Sequence, residues 1–173
     1  MTEKVETVKA VDPRVEVALD VLKLLDTKRI TAASMVYFEV KLKRRLKPGT
    51  ETIDVQKLLS GKNVAKCEVC AKGAMMVAFA MKHDRAEANV YGMEVDAGGV
   101  ECNAALLGTF SSRQLENIER SYEGFYGSTG WLHEYPDKDA RLRAIMQRIV
   151  DNGGEFGKDD EPGPADNGKD SVS

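Results

Sequence analysis

A chain of 173 residues with 42% hydrophobic and 31% charged side chains has the makeup of one ordinary globular domain. Its formal charge of -3 resides in residues 157–173, where five acids face two lysines, so residues 1–156 are formally neutral and are not built for non-specific attraction to a polyanion. A membrane span is excluded as well: the least polar stretch, residues 69–81, contains Lys72 and falls short of the roughly 20 apolar residues a bilayer requires.

The N-terminus opens Met1, Thr2, Glu3, Lys4 with no apolar core behind it, so no signal peptide is expected. The first ten residues carry no strong signal and read as loose. Asp12 as cap, Pro13 at the first helical position and the spacing of Val15, Ala18, Leu19, Leu22 and Leu25 predict a helix that ends near Asp26 and Thr27. Residues 31–47 fit two patterns. Val36, Phe38, Val40 and Leu42 alternate with polar neighbours as in a strand, whereas Met35, Phe38, Leu42 and Leu46 share one helical face. The Lys- and Arg-rich continuation favours the helix, and Pro48 and Gly49 end it either way. A short helix follows over residues 54–59, closed by Ser60 and Gly61.

Residues 63–83 are expected to form the central buried helix. Cys67, Cys70, Ala71, Ala74, Val77, Ala78 and Met81 recur at offsets of three and four, and Val69, Met75, Met76 and Phe79 make the other faces apolar too. Gly73 would cost such a helix about 1 kcal/mol relative to alanine, which close packing at that point would explain. Residues 93–108 read as loop with one short helix near 100–107. Ser111 and Gln114 then make a capping box, with Phe110 and Leu115 as its hydrophobic staple. Leu115, Ile118, Tyr122 and Phe125 mark the buried face of that helix, and Gly127 ends it. A last helix starts at Pro136, buries Leu142, Ile145, Met146 and Ile149, and stops at Asn152, Gly153 and Gly154. The acidic segment 157–173 has Val172 as its single branched aliphatic residue and reads as a disordered, solvated tail. The expected fold is mainly α: a compact single-domain helical bundle over residues 11–156 around the buried central helix, with a short β element near 35–43 as the alternative.

Cys67 and Cys70 have metal-ligand spacing, and His83 and Cys102 would complete a four-ligand zinc set. On a buried helix, however, both thiols point into the core, where cysteine behaves as a small hydrophobe, and no cofactor is expected. Three cysteines without a disulfide framework suit a reducing cytosol and free thiols. Cys70 with His83 or His133 as a base has no local support, so no catalytic residue is assigned. Asp96, Ala97, Gly98 and Gly99 read as a turn. The carboxylates of Asp159 and Asp160 fall in the solvated tail, where burial cannot tune them. Lys41, Lys43, Arg44, Arg45 and Lys47 form the one basic cluster, either a grip on phosphates or a solvated helix end, and the neutral body favours the second. Trp131, His133 and Tyr135, with Phe125 and Tyr126 upstream, stand as an interface loop or as a lid over a small core, two readings that weigh equally.

Three runs in order, Cys-Glu-Val-Cys-Ala-Lys-Gly-Ala at 67–74, Phe-Ser-Ser-Arg-Gln-Leu-Glu-Asn-Ile-Glu at 110–119 and Arg-Leu-Arg-Ala-Ile-Met-Gln-Arg-Ile-Val-Asp-Asn-Gly at 141–153, resemble small accessory proteins of bacteriophages, prophages and mobile elements. The resemblance spans most of residues 15–156. Its motifs are structural, so it carries over no catalytic residue. It implies a non-enzymatic protein of the host cytosol that binds and disables a host macromolecule, a protein first and a nucleic acid second, including components of defence systems. Self-association is left open. A zinc-dependent nucleic-acid-binding module and a sponge or enzyme for a nucleotide signal are the alternatives.

Overall fold

The computed structural model describes residues 10–83, 86–96, 106–125, 129–157, 160 and 162. Helix α1 (Pro13–Asp26) begins as its sequence predicts, with the Asp12 carboxylate accepting from the Arg14 backbone N–H at 2.8 Å. Its buried stripe is Val17, Ala18, Val21, Leu24 and Leu25, while Leu19 is turned to solvent. After α1 the chain turns at Lys28, which adopts φ +53°, and the Arg29 N–H reaches back to the Leu24 carbonyl at 2.9 Å. Glycine is the easy residue at such a helix-ending position, and a side chain there costs on the order of 1 kcal/mol.

The expected helical bundle is overturned by a six-stranded sheet. Strands β1 (Thr31–Ala32), β2 (Phe38–Leu42), β3 (Thr52–Asp54), β4 (Val64–Val69), β5 (Glu87–Tyr91) and β6 (Glu94–Asp96) are ordered β1-β4-β2-β6-β5-β3. Only β1 and β4 run parallel. The helix favoured over residues 31–47 is in fact β1, a loop and β2. The alternation of Phe38, Val40 and Leu42 prevails because these three are buried, whereas Met35, which the helical face required, is 75% exposed. The single helix expected over 63–83 is two elements. Strand β4 gives way to α3 (Ala71–His83) across one residue, Cys70.

One face of the sheet is apolar. Cys67, Val40, Val95 and Val90 are register partners across four strands, and Phe38 and Val69 form the next pair. Helix α3 lies in the same core, in contact with α1, β4, α2 (Val55–Ser60) and α4 (Ser112–Glu123). It is buried nearly all round, as its sequence predicts. Helix α6 (Lys138–Asp151) packs chiefly on α1 and also touches β1 and α4. It starts at Lys138, two residues after the expected start at Pro136, and is capped by the Asp137 carboxylate, which accepts from Ala140 N–H at 2.8 Å. The capping box of Ser111 and Gln114 is present, and α4 ends at Gly124 with φ +76°. Phe125, placed by sequence on the buried face, is exposed, and Gly127 lies outside the described residues.

The loop between β1 and β2 clasps the β4–α3 junction. Ala33 N–H donates to the Val69 carbonyl at 2.8 Å, and Cys70 N–H donates to the Val36 carbonyl. A Cβ built on Gly73 would fall 1.5 Å from the Tyr37 carbonyl oxygen. This contact, with a backbone segment rather than a second helix, is the close packing that the glycine permits. Gly73→Ala, which would stabilise a free helix by about 1 kcal/mol, should here destabilise the protein by about 3 kcal/mol or more. Equilibrium urea unfolding measures this directly, and an unchanged midpoint would mean that the loop does not press on α3.

Candidate functional site

Among the described residues, the turns at one end of the sheet collect most of the cations that have no ion pair. Residues 27–66 hold ten cationic and three acidic side chains, a net +7, which leaves -10 for the rest of a chain whose formal charge is -3. The topology gathers this stretch. Because β2 and β4 are antiparallel with Leu42 beside Val64, the residues leaving β2 lie next to those entering β4. Lys43 N–H donates to the Asn63 carbonyl at 2.7 Å, Arg44 N–H to Asn63 Oδ1 at 2.9 Å, and Asn63 Nδ2 to the Arg44 carbonyl at 2.8 Å. Asn63 thus fixes the basic loop beside Lys62. The parallel pairing of β1 with β4 brings Lys28 and Arg29 to the same end.

Lys28, Arg29, Lys43, Arg44, Arg45, Lys47 and Lys62 are exposed, and none has an ion pair among the described residues. On the polar face of the sheet Lys41 stands directly opposite Lys66, and Glu39 opposite Glu68. Like charges facing across strands repel. They are offset along each strand, by Lys41–Glu39 at 3.8 Å and Lys66–Glu68 at 2.7 Å. Lys66, donating to the Glu68 carboxylate, holds it below its usual range. The sequence signal for this end was the one-sidedness of charge along the chain, which a neutral total over residues 1–156 conceals.

The aromatic segment is built differently. Trp131 and His133 lie on the short helix α5 (Gly130–Glu134), and Tyr135 follows as its C-cap. Trp131 is 3% exposed and forms part of the core. Its indole N–H donates to the Asp160 carbonyl at 3.1 Å, and its ring lies 6.0 Å from both Tyr135 and Phe156. Tyr135 is half-buried, and its carbonyl accepts from the buried Arg141 at 3.0 Å. His133 is exposed, and Tyr126 lies outside the described residues. Trp131 therefore closes the core and draws Asp160, from the acidic segment, against it. Most of residues 157–173 lie outside the described residues.

The three zinc candidates among the described residues, Cys67, Cys70 and His83, are not brought together. Cys67 points inward from β4 and Cys70 occupies the turn into α3, both buried, so they share no helix face. His83 is at the opposite end of α3, about 18 Å along the axis at 1.5 Å per residue, with its ring 4.3 Å from that of Phe79. Cys102 and residues 97–99 of the expected turn lie outside the described residues. Among the described residues no three His, Cys, Asp or Glu side chains form a group able to hold a metal ion. No helix among them is long and apolar enough to cross a membrane. Burial pushes the Cys67 thiol up to about 12 and the Cys70 thiol up to about 11, the latter eased by the Gly73 and Lys72 backbone N–H groups of the helix start. Such thiols are poor nucleophiles at neutral pH. No protein-family model, curated protein or solved structure matches the chain.

Trp131→Ala should cost about 3–5 kcal/mol of unfolding free energy, whereas the double substitution Arg44→Glu, Arg45→Glu should leave the melting curve in place. The reverse pattern would exchange their roles. The neutral thiols favour the folded state, so their contribution is complete below the ordinary thiol value of 9.0 and is lost as pH rises toward the folded values. In a Cys102→Ser background, the urea midpoint should therefore fall between pH 9 and 11, and fall less when Cys67 is also replaced by Ala. At pH 8, labelling of the remaining thiols by an aromatic disulfide should follow unfolding. Rapid labelling of the native protein would show that these thiols are accessible.

Proposed function

We propose that the protein is a non-enzymatic accessory protein of the bacteriophage type that acts in the host cytosol by binding a macromolecule, and that its basic end takes the phosphate backbone of a nucleic acid. The accessory role rests on the resemblance of the three sequence runs. The choice of nucleic acid rests on one observation: seven cations with no ion pair among the described residues, at a single end of a chain that is otherwise strongly acidic. Cations committed to folding are usually neutralised by nearby carboxylates, as Lys82 is by Asp20 at 2.7 Å. Unpaired cations in one place are the electrostatic footprint expected of a phosphate grip. A host protein reached through the aromatic segment is less well supported, because Trp131, the residue best suited to anchor an interface, serves the core.

Binding of labelled single- and double-stranded oligonucleotides, followed by fluorescence anisotropy, tests this reading. With about five phosphates neutralised, affinity should fall by a factor of about 10²–10³ between 50 and 200 mM salt. The variant Arg44→Glu, Arg45→Glu should bind at least about tenfold more weakly and show a slope on the log–log salt plot shallower by about two. Failure to bind either oligonucleotide at 50 mM salt would overturn the nucleic-acid reading. Recovery of one stoichiometric protein from nuclease-treated host cytosol would return the partner to a protein.

A further inference from the structure

Between the α1–β1 turn and the α2–β4 turn lies a cleft of about 460 Å³. Lys28 and Arg29 come from the first turn and Lys62 from the second, and Lys66 of β4 with the hydroxyl-bearing Thr31 and Ser60 completes the polar lining. Its volume is in the range of small-molecule sites, roughly 300–1,000 Å³. No acidic residue lines it. Lys66 is shared with Glu68 at 2.7 Å, and the other three cations are unpaired among the described residues. The C-terminal ends of α1 and α2 border the cleft and each contributes only about -0.5 of a charge. Three free cations exceed that and leave the cleft positive. Lys28 also occupies a left-handed backbone position, φ +53°, where glycine is the residue of least strain. A cation is held there against local conformational preference.

We propose that this cleft is a subsite for a terminal phosphate, the phosphomonoester at the end of a nucleic-acid strand or on a free nucleotide. An internal phosphodiester carries one negative charge and continues on both sides, so it suits the exposed loop of Arg44 and Arg45. A monoester carries close to two charges at neutral pH and ends the chain, so it suits a cleft walled by two turns with Leu59 and Cys67 buried in its lining. For a strand end, the inference rests on the nucleic-acid reading above. For a free nucleotide, it stands without it.

The test compares four proteins: the native chain, Lys28→Gly, Lys62→Gln, and Arg44→Glu with Arg45→Glu. Each is titrated at 150 mM salt with a 12-nucleotide strand bearing a 5′-phosphate, the same strand with a 3′-phosphate, the same strand with hydroxyl ends, and a nucleoside monophosphate. The native chain should prefer one of the phosphorylated strands to the hydroxyl-ended strand by about tenfold, the value of one charge-assisted contact. Lys28→Gly and Lys62→Gln should erase that preference and change affinity for the hydroxyl-ended strand less than threefold. The loop variant should weaken all strands alike and keep the preference. Lys28→Gly relieves a strained position, so its melting temperature should hold or rise while end binding is lost, and misfolding cannot then account for the loss. If no strand binds but the monophosphate binds and depends on Lys28 and Lys62, the strand reading fails and the cleft takes free nucleotides. If strands bind without end preference and the monophosphate does not bind, the cleft proposal is overturned and the nucleic-acid reading stands. Equal end preference in native protein, Lys28→Gly and Lys62→Gln would likewise overturn it.

Discussion

The approach of the Tyr37 carbonyl to Gly73 sets the depth at which α3 lies in the molecule. A strand that becomes a helix across one residue has little slack, so the position of Cys70 fixes both elements at once. The loop carrying Tyr37 holds that corner through the Val69 carbonyl and the Cys70 N–H, and is held in turn by the other helices. Asp139 of α6 accepts from Ala32 N–H at 2.7 Å, and Glu123 of α4 accepts from Met35 N–H at 2.9 Å. The Glu123 carboxyl is nevertheless pushed above its usual range by burial, so desolvation there outweighs the hydrogen bond it receives. The sheet is parallel only next to this corner, where β1 and β4 meet, and the rest of the sheet extends from it as antiparallel pairs.

What could be read from the chain alone follows from how local each signal is. Caps identified the helices because they are formed by neighbours in sequence: Asp12 with Arg14, and Ser111 with Gln114. The β4–α3 corner could not be read in that way. Cys67, Cys70 and Ala74 are spaced three and four apart, so a strand running into a helix imitates one longer helix, and no proline or glycine marks the joint. Strands β5 and β6 had a short-range cue. Tyr91 pairs with Glu94 around a two-residue turn in which Gly92 has φ +67°, a position that favours glycine. With one buried residue in β6 and a buried Ala88 in β5, their alternation was too thin to register.

The basic end was hidden for a related reason. A net charge averages over the chain, whereas a fold sorts charge in space. Strand pairing moves residues 28–29, 43–47 and 62–66 to one end, and the carboxylates that balance them in the total belong largely to other segments. Among these, Arg14 bridges Asp12 and Glu155 at 2.8 and 2.6 Å, joining the start of α1 to the chain just after α6. Arg14 holds the Asp12 carboxyl down to about 2, so this clasp stays ionised across the neutral range. Acidic groups there serve cohesion, and the cations at the other end are left over from it.

The strands at the two borders of the sheet are its shortest kind, two residues in β1 and three in β3. Longer members, β2 and β4, lie side by side in the interior with partners on both flanks. A foreign strand arriving at either border finds only a brief row of free backbone groups, too little to dock by main-chain hydrogen bonds. Copies of this chain brought close together therefore have little at these borders by which to zip edge to edge into a larger sheet.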